Sequence, residues 1–229
     1  LGSDPDLLDA WFGLGLRHVQ FNWAMPNNLG ASQDQENETA QPGLTDFGRT
    51  TIENMNEKGM IVDVSHSAPQ TILDALEATS KPILNSHSGG RSIADKPQNL
   101  FDDQIKAMAE NGGVIGVHFC SRLVLGVNGV QAEIGDVVKQ IRYVADVGGI
   151  DVVGLGPDWL LGDPLRDVPY LRNTGQEDLT WAKGLEDSSE LTNLWDPLVG
   201  AGFTAAEIEK IAGGNLLRLF KDVLPGGND

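Results

Sequence analysis

The feature that most constrains this chain is a regular alternation of short strand-like runs with segments of helical character. The five predicted strands lie at residues 17–22, 60–66, 82–87, 113–119 and 151–156. The later runs are apolar almost throughout, which is typical of strands buried on both faces. Because helical segments separate them, the pattern predicts an α/β fold with a parallel sheet, either a closed barrel or an open doubly wound sheet.

Helix-ending signals separate the predicted strands. Thr45 is a typical N-cap, and the helix that follows it is predicted to end at Gly59. The residues from 23 to 43 are predicted to form a long surface loop. The other predicted helices lie at residues 4–12, 69–80, 102–111, 134–147, 188–198, 205–212 and 215–223. No Gly-x-Gly-x-x-Gly sequence follows a strand, so dinucleotide binding is not favoured.

Composition narrows the classes of partner. The 229 residues suffice for one sizeable core, so a single domain spanning 1–229 is expected. A formal charge of -17 without a Lys/Arg cluster excludes nucleic acid as an expected partner. No apolar run approaches the roughly 18 residues of a membrane span, and Cys120 alone cannot form an internal disulfide. The chain lacks an initiator Met and is expected to begin mid-protein, and the compartment stays open.

Polar side chains at the ends of predicted strands form the candidate site. His66 and His87 end neighbouring strands, and Asp158 follows the fifth. The carboxyl ends of parallel strands carry the active site in such folds, and zinc hydrolases use imidazole and carboxylate groups. Each residue alone also fits a structural role, the histidines as hydrogen-bonding groups and Asp158 as a turn cap. Together they predict a metal-dependent active site.

Two further histidines have other interpretations. His118 ends the fourth strand, where it is either a core histidine or part of the lining of the same cavity. His18 stands at a strand start and is expected to be structural. No Gly-x-Ser-x-Gly sequence is present and Cys120 has no obvious paired base, so covalent catalysis is not favoured.

Two segments carry a resemblance to a known family. Residues 59–66, Gly-Met-Ile-Val-Asp-Val-Ser-His, and 82–88, Pro-Ile-Leu-Asn-Ser-His-Ser, resemble the membrane (renal) dipeptidase family of zinc metallopeptidases. The spacing of 21 residues between His66 and His87 matches as well. The similarity continues through residues 99–103, 112–117, 154–158 and 214–220, and so extends over nearly the whole chain.

The resemblance implies a TIM-type (β/α)8 barrel, here incomplete, with about five of its eight strands. It implies two Zn²⁺ ions, one of them bound by His66 and His87, and cleavage of dipeptides by a metal-bound hydroxide with Asp158 as the acid/base residue. It also implies a homodimer. The family also has a His-x-Asp pair and a bridging Glu, both on barrel strands that come before the strand predicted here at residues 17–22. Neither has a counterpart in this sequence. This chain is therefore expected to lack the N-terminal strands and to lack a complete metal site by itself.

Two departures from the family concern substrate recognition. Gln98 stands where the family has an arginine for the substrate carboxylate, and Trp23 stands where it has His or Tyr. With Asn99 and His118, these residues are the predicted substrate-binding positions, and a changed specificity is expected. The alternatives are a non-catalytic barrel relative that binds a small molecule, and a metal-dependent hydrolase of another amide or a lactone.

Overall fold

The computed structural model describes residues 4, 6–23, 25–36, 43–160 and 179–226. A parallel sheet of five strands in the order β1-β2-β3-β4-β5 forms the centre. Its strands are β1 His18–Gln20, β2 Ile61–Asp63, β3 Leu84–Ser88, β4 Val114–Val117 and β5 Val153–Leu155. Each strand pairs in parallel with the next along the chain. This sequential order is that of consecutive barrel strands, whereas a doubly wound sheet reverses its order at a switch point.

Helices fill the connections between the strands, as the sequence predicts. In chain order they are α1 Asp6–Gly13, α2 Asp46–Lys58, α3 Pro69–Ala78, α4 Asp102–Glu110, α5 Ser121–Leu125, α6 Ile134–Gly148, α7 Trp195–Gly200, α8 Ala205–Glu209 and α9 Asn215–Val223. Short 3₁₀ segments lie at Gln33–Gln35, Ile150–Val152 and Ser188–Leu194, and a π turn at Lys210–Gly214 joins α8 to α9. Within the described residues, no helix is both long and apolar enough to cross a membrane.

The predicted signals at the ends of α2 are confirmed. The Thr45 hydroxyl accepts a hydrogen bond from the backbone N–H of Gly48 at 2.9 Å, and this satisfies one of the free donors of the first turn. Gly59 closes the helix in the left-handed conformation, with φ 67°. The Ser3 cap predicted for α1 lies outside the described residues.

The main core lies between the sheet and the helices α2, α3, α4 and α6. These helices contribute fully or almost fully buried side chains, among them Ile52, Ile72, Ile105 and Ile141. A smaller cluster joins α9 to the first residues of β2, β3 and β4. Burial of these apolar faces drives the helices onto the sheet.

Four of the five strands end before their predicted carboxyl ends, whereas β3 runs one residue further, to Ser88. The second predicted strand runs to residue 66, but β2 ends at Asp63. The cause is local, because the Ser65 N–H donates to the Asp63 carboxylate at 2.9 Å instead of continuing a strand ladder. Two other elements differ from the predictions: α5 was not predicted, and residues 188–194 form a 3₁₀ segment ahead of α7 rather than one continuous α-helix.

An irregularity in β3 determines which residues its neighbours can hold. The register between β3 and β4 shifts between Asn85 and Ser88. A Cβ atom built on Gly116 or on Gly156 would lie 2.1 Å from the Ser86 carbonyl oxygen. No real Cβ approaches a backbone oxygen so closely, so glycine is required at both positions, Gly116 in β4 and Gly156 directly after β5.

We predict that Gly116→Ala destabilises the full-length protein by about 1–3 kcal/mol, because the added methyl collides with backbone that packing holds in place. Gly135→Ala, near the start of α6, is the matched control because nothing lies within 4 Å of its added Cβ. The control is expected to be neutral or stabilising by up to about 1 kcal/mol. Urea unfolding measures both, and equal midpoints for the two variants would contradict the collision.

Candidate metal centre and active site

A buried carboxylate organises the carboxyl ends of the first three strands. Asp63 is fully buried and accepts hydrogen bonds from the backbone N–H groups of Ser65 at 2.9 Å and Ser86 at 3.1 Å, and from His18 Nε2 at 2.9 Å. Burial alone would raise the pKa of Asp63, but the bonds from His18, Ser86 and Ser65 outweigh it and lower that pKa. His18 therefore acts structurally, as predicted, and Asp63 fixes the backbone that presents His66 and His87.

His66 and His87 converge at the ends of β2 and β3. Their Nε2 atoms lie 2.8 Å apart, and their ring centroids are separated by 4.8 Å. Burial lowers the pKa of His66 to about 3, and the charge of His87 contributes in the same direction. His66 is therefore neutral at physiological pH, with a lone pair on one ring nitrogen.

Hydrogen bonds from serine side chains determine the tautomer of His87. The Ser65 hydroxyl donates to Asn85 Oδ1 at 2.9 Å, so its oxygen accepts from Ser86 Oγ, 3.1 Å away. Since the Ser86 proton is used there, Ser86 Oγ accepts from His87 Nδ1 at 2.7 Å. With its Nδ1 bonded to Ser86, His87 presents Nε2 to the Nε2 atom of His66.

The side chain of Gln98 orients two of the histidines. Its amide Nε2 lies 2.9 Å from His118 Nε2 and 3.3 Å from His66 Nε2. Because an amide nitrogen only donates, each of these ring nitrogens accepts through its lone pair. His118 is fully buried behind the pair, its ring centroid 5.3 Å from that of His87, and burial lowers its pKa well below the ordinary value. Gln98 and His118 thus join the predicted cluster.

Asn99 differs from the other predicted substrate-binding residues. It is buried, and its amide nitrogen donates to the carbonyls of Ala94 at 2.8 Å and Leu123 at 2.9 Å. These bonds stabilise the loop between β3 and α4 against α5. Among the described contacts, the side chain of Asn99 serves this loop and not the cavity.

A cavity brings together four of the predicted residues, Trp23, His66, Gln98 and Asp158. Its described lining comprises Trp23, His66, Gln98, Cys120, Arg122, Leu123, Asp158, Leu160, Leu179 and Trp181. Asp158 is partly exposed to solvent. Partial burial raises the pKa of its carboxyl, and the charges of His87 and Arg122 oppose that rise. Indole N–H groups secure its surroundings, since Trp181 donates to the Pro157 carbonyl at 2.9 Å.

The sequence analysis did not identify Arg122 and Trp181 as cavity residues. Arg122 follows the fourth strand by only a few residues, and a basic residue at a strand end in a strongly acidic chain was the available signal. Trp181 reaches the cavity through an antiparallel bridge with Cys120. That pairing is non-local and has no signature in the sequence.

Backbone strain coincides with two of the predicted site residues. His66, at φ 62°, and Asp158, at φ 54°, are the only non-glycine residues with positive φ in the part of the chain that the structure describes. Such conformations cost about 1–3 kcal/mol each and persist where the surrounding structure imposes them, often at functional sites. The strain therefore supports the functional interpretation of both residues.

Comparison with known proteins identifies the family. Residues 1–225 match the family model described as membrane dipeptidase, peptidase family M19. The chain belongs to the membrane dipeptidase family. It is 32% identical over 222 residues to an uncharacterized dipeptidase of Schizosaccharomyces pombe. The aligned residues cover 96% of this chain and 50% of the relative. It is 28% identical over 223 residues to dipeptidase aclJ of Aspergillus oryzae, covering 97% and 49%. This membrane dipeptidase chain thus spans about half the length of the curated relatives it matches.

Solved structures show the same fold. An amidohydrolase from Pseudomonas aeruginosa superposes with a TM-score of 0.86 at 24% identity, covering 96% of this chain and 69% of that one. A metallopeptidase from Rhodobacter sphaeroides, bound to a phosphinate mimic of the dipeptide L-Ala-D-Ala, gives 0.81 at 22% identity, covering 97% and 60%. The prediction of an incomplete (β/α) barrel is confirmed.

The described residues supply part of a metal site. The Nε2 atoms of His66 and His87 lie within hydrogen-bonding distance of each other, and imidazole nitrogens that converge in this way are the ligand type that zinc uses. The pair therefore fits the metal that a metallopeptidase family implies. Within the described ranges, no three His, Cys, Asp or Glu side chains group closely enough to hold a metal ion.

We predict that Ser86→Ala lowers the zinc affinity of the full-length protein by about 10- to 100-fold, because His87 loses the partner that fixes its tautomer. Competition with a chelator measures the affinity. Ser188→Ala, at an exposed position far along the chain, is the matched control and is expected to leave the affinity unchanged. Equal affinities in the two variants would show that Ser86 does not orient His87.

Proposed function

We propose that the protein to which this chain belongs is a zinc-dependent dipeptidase in which His66 and His87 ligate one ion of a two-zinc site. The observation that carries the proposal is the convergence of the Nε2 atoms of His66 and His87, 2.8 Å apart, beside a cavity that His66 and Asp158 both line. The remaining ligands are proposed to come from the rest of a single barrel domain, outside this chain.

The zinc ions supply Lewis-acid polarisation of the scissile carbonyl and lower the pKa of water. Imidazole nitrogens suit zinc, and the hydrogen bond between His87 Nδ1 and Ser86 orients the ring so that its Nε2 faces His66. Asp63 holds the two strand ends in register and has no free carboxylate oxygen to compete as a ligand.

Asp158 is proposed to move the proton during hydrolysis. Burial raises the pKa of the Asp158 carboxyl, which makes it a stronger base, and its carboxylate form is proposed to accept a proton from the attacking water. The resulting acid then donates that proton to the leaving amine. The left-handed backbone at residue 158 fixes the direction in which the carboxyl enters the cavity.

The walls of the cavity are proposed to recognise the substrate. Trp23 and Gln98 line it and are positioned to contact a small molecule, with Trp181 as a further aromatic wall. His118 and Asn99 are proposed to act indirectly. His118 orients the Gln98 side chain, and Asn99 stabilises the loop between β3 and α4. The homodimer implied by the resemblance stays a prediction.

Elemental analysis of the full-length protein, combined with a dipeptide hydrolysis assay, tests the proposal. About two zinc ions per chain and zinc-dependent release of free amino acids are expected. A full-length protein that binds no zinc and cleaves no dipeptide would favour the non-catalytic alternative. Zinc-dependent cleavage of a lactone or another amide, with none of dipeptides, would favour a different hydrolase.

A further inference from the structure

Arg122 occupies a defined position at the carboxyl end of β4. It is the second residue of α5 and half-buried. Backbone bonds fix the chain on either side of it. Ser121 donates its N–H to the Thr180 carbonyl at 2.8 Å, and the Arg122 carbonyl accepts from Gly126, which closes the helix at φ 74°. The backbone that carries Arg122 is therefore part of the scaffold of the site.

The guanidinium group enters the cavity that holds His66 and Asp158. Among the described lining residues, Arg122 is the only one with a permanently positive side chain. Its charge acts on the whole cluster, since it lowers the pKa values of His66, His118 and Asp158. Burial raises the pKa of the Cys120 thiol, while the charge and a side-chain hydrogen bond of Arg122 oppose that rise. Cys120 thus helps to place the guanidinium.

Gln98 cannot provide the same charge. It is a neutral amide, it is 6% exposed, and its nitrogen is directed at the His118 and His66 rings. Among the described residues that line the cavity, the cationic partner for an anionic end of the substrate therefore lies on the α5 side, not at residue 98.

We propose that Arg122 binds the free carboxylate of the substrate and makes the site selective for substrates that carry one. This inference rests on the proposed dipeptidase function and names the residue that selects the substrate. A planar guanidinium pairs with a carboxylate through two parallel N–H···O bonds, which fixes orientation as well as charge. The chain as a whole carries a charge of -17, so a substrate with a single negative group is attracted locally while polyanions are repelled.

Binding of two matched probes tests the role of Arg122 without requiring turnover. The probes are a phosphinate mimic of a dipeptide with a free terminal carboxylate and the same compound as its carboxamide. Isothermal titration of the zinc-loaded full-length protein is expected to show a preference of about 10- to 100-fold for the carboxylate, the range of a charge-assisted hydrogen bond. Arg122→Gln is expected to bind both probes equally, with zinc content unchanged.

Two further variants make the result specific. Arg122→Lys keeps the charge but loses the planar fork, so an intermediate preference is expected, and this variant serves if Arg122→Gln does not fold. Lys139→Gln, at an exposed position on α6, removes a positive charge elsewhere and is expected to keep the full preference. A carboxylate preference that survives in Arg122→Gln overturns the inference.

The outcomes separate this inference from the proposed function. Loss of the carboxylate preference in Arg122→Gln, in a protein that cleaves no dipeptide, would retain the assignment of Arg122 and reject dipeptide hydrolysis. Dipeptide hydrolysis with the same carboxylate preference in wild type and Arg122→Gln would retain the proposed dipeptidase function and reject the assignment of Arg122. Failure of the wild-type protein to bind either probe overturns both.

Discussion

We expect replacement of His66 or His87 with alanine to abolish dipeptide hydrolysis by the full-length protein and to lower its zinc content. Each variant removes one of two imidazole nitrogens that face each other at 2.8 Å, so the proposed zinc site would lose a ligand. A metal contributes several kcal/mol to the transition state, so a fall of at least about 10³-fold in kcat/KM is expected. Elemental analysis and steady-state kinetics measure the two effects together.

A third histidine provides the control for this result. His18 is partly exposed and bonds to Asp63, and His18→Gln keeps a donor at that position. The control variant is expected to retain its zinc and most of its activity. Full zinc content in His66→Ala and His87→Ala would refute the assignment of these residues as ligands.

The Asp158→Asn variant keeps its zinc but loses about 10²–10⁴-fold in kcat, because the amide cannot accept a proton from water or return one to the amine. The pH profile of the wild-type protein carries the same information. Partial burial raises the pKa of Asp158, so the acidic limb of its profile is expected above the ordinary aspartate value of about 3.9. Activity is present above that pKa and declines as the pH falls through it, and Asp158→Asn removes this limb.

An exposed aspartate on α6 is the matched control for Asp158. Asp146→Asn makes the same chemical change outside the cavity, and no change in kcat is expected. A loss of zinc in Asp158→Asn would mean that the carboxylate is a ligand and not the acid/base residue. Elemental analysis of both variants decides between these roles.

The sequence alone predicted the features that depend on local signals. The apolar runs located all five strands, and the ends of two of these runs identified His66 and His87. The end of β2 was not predicted correctly because the Asp63 carboxylate accepts a hydrogen bond from the Ser65 N–H. Such competition between a side chain and a strand ladder is not visible in a hydrophobic pattern.

The features that the sequence could not predict come from non-local pairing. Arg122 lies on a five-residue helix, too short for periodicity to reveal, and its place in the cavity depends on residues 180 and 181 pairing with residues 120 and 121. The hydrogen bonds that link Ser65, Asn85 and Ser86 require the register of β2 against β3. For Asn99, the family motif indicated the cavity, whereas the described hydrogen bonds of its side chain stabilise a loop, and its role in substrate binding stays a prediction.

The left-handed backbone at residues 66 and 158 has a consequence for the evolution of this family. Glycine at either position would relieve about 1–2 kcal/mol of conformational cost, so selection for stability and selection for chemistry act against each other there. A lineage released from hydrolysis would be free to drift to glycine at these sites while keeping the barrel. The same two positions therefore offer a test for inactive descendants of the family.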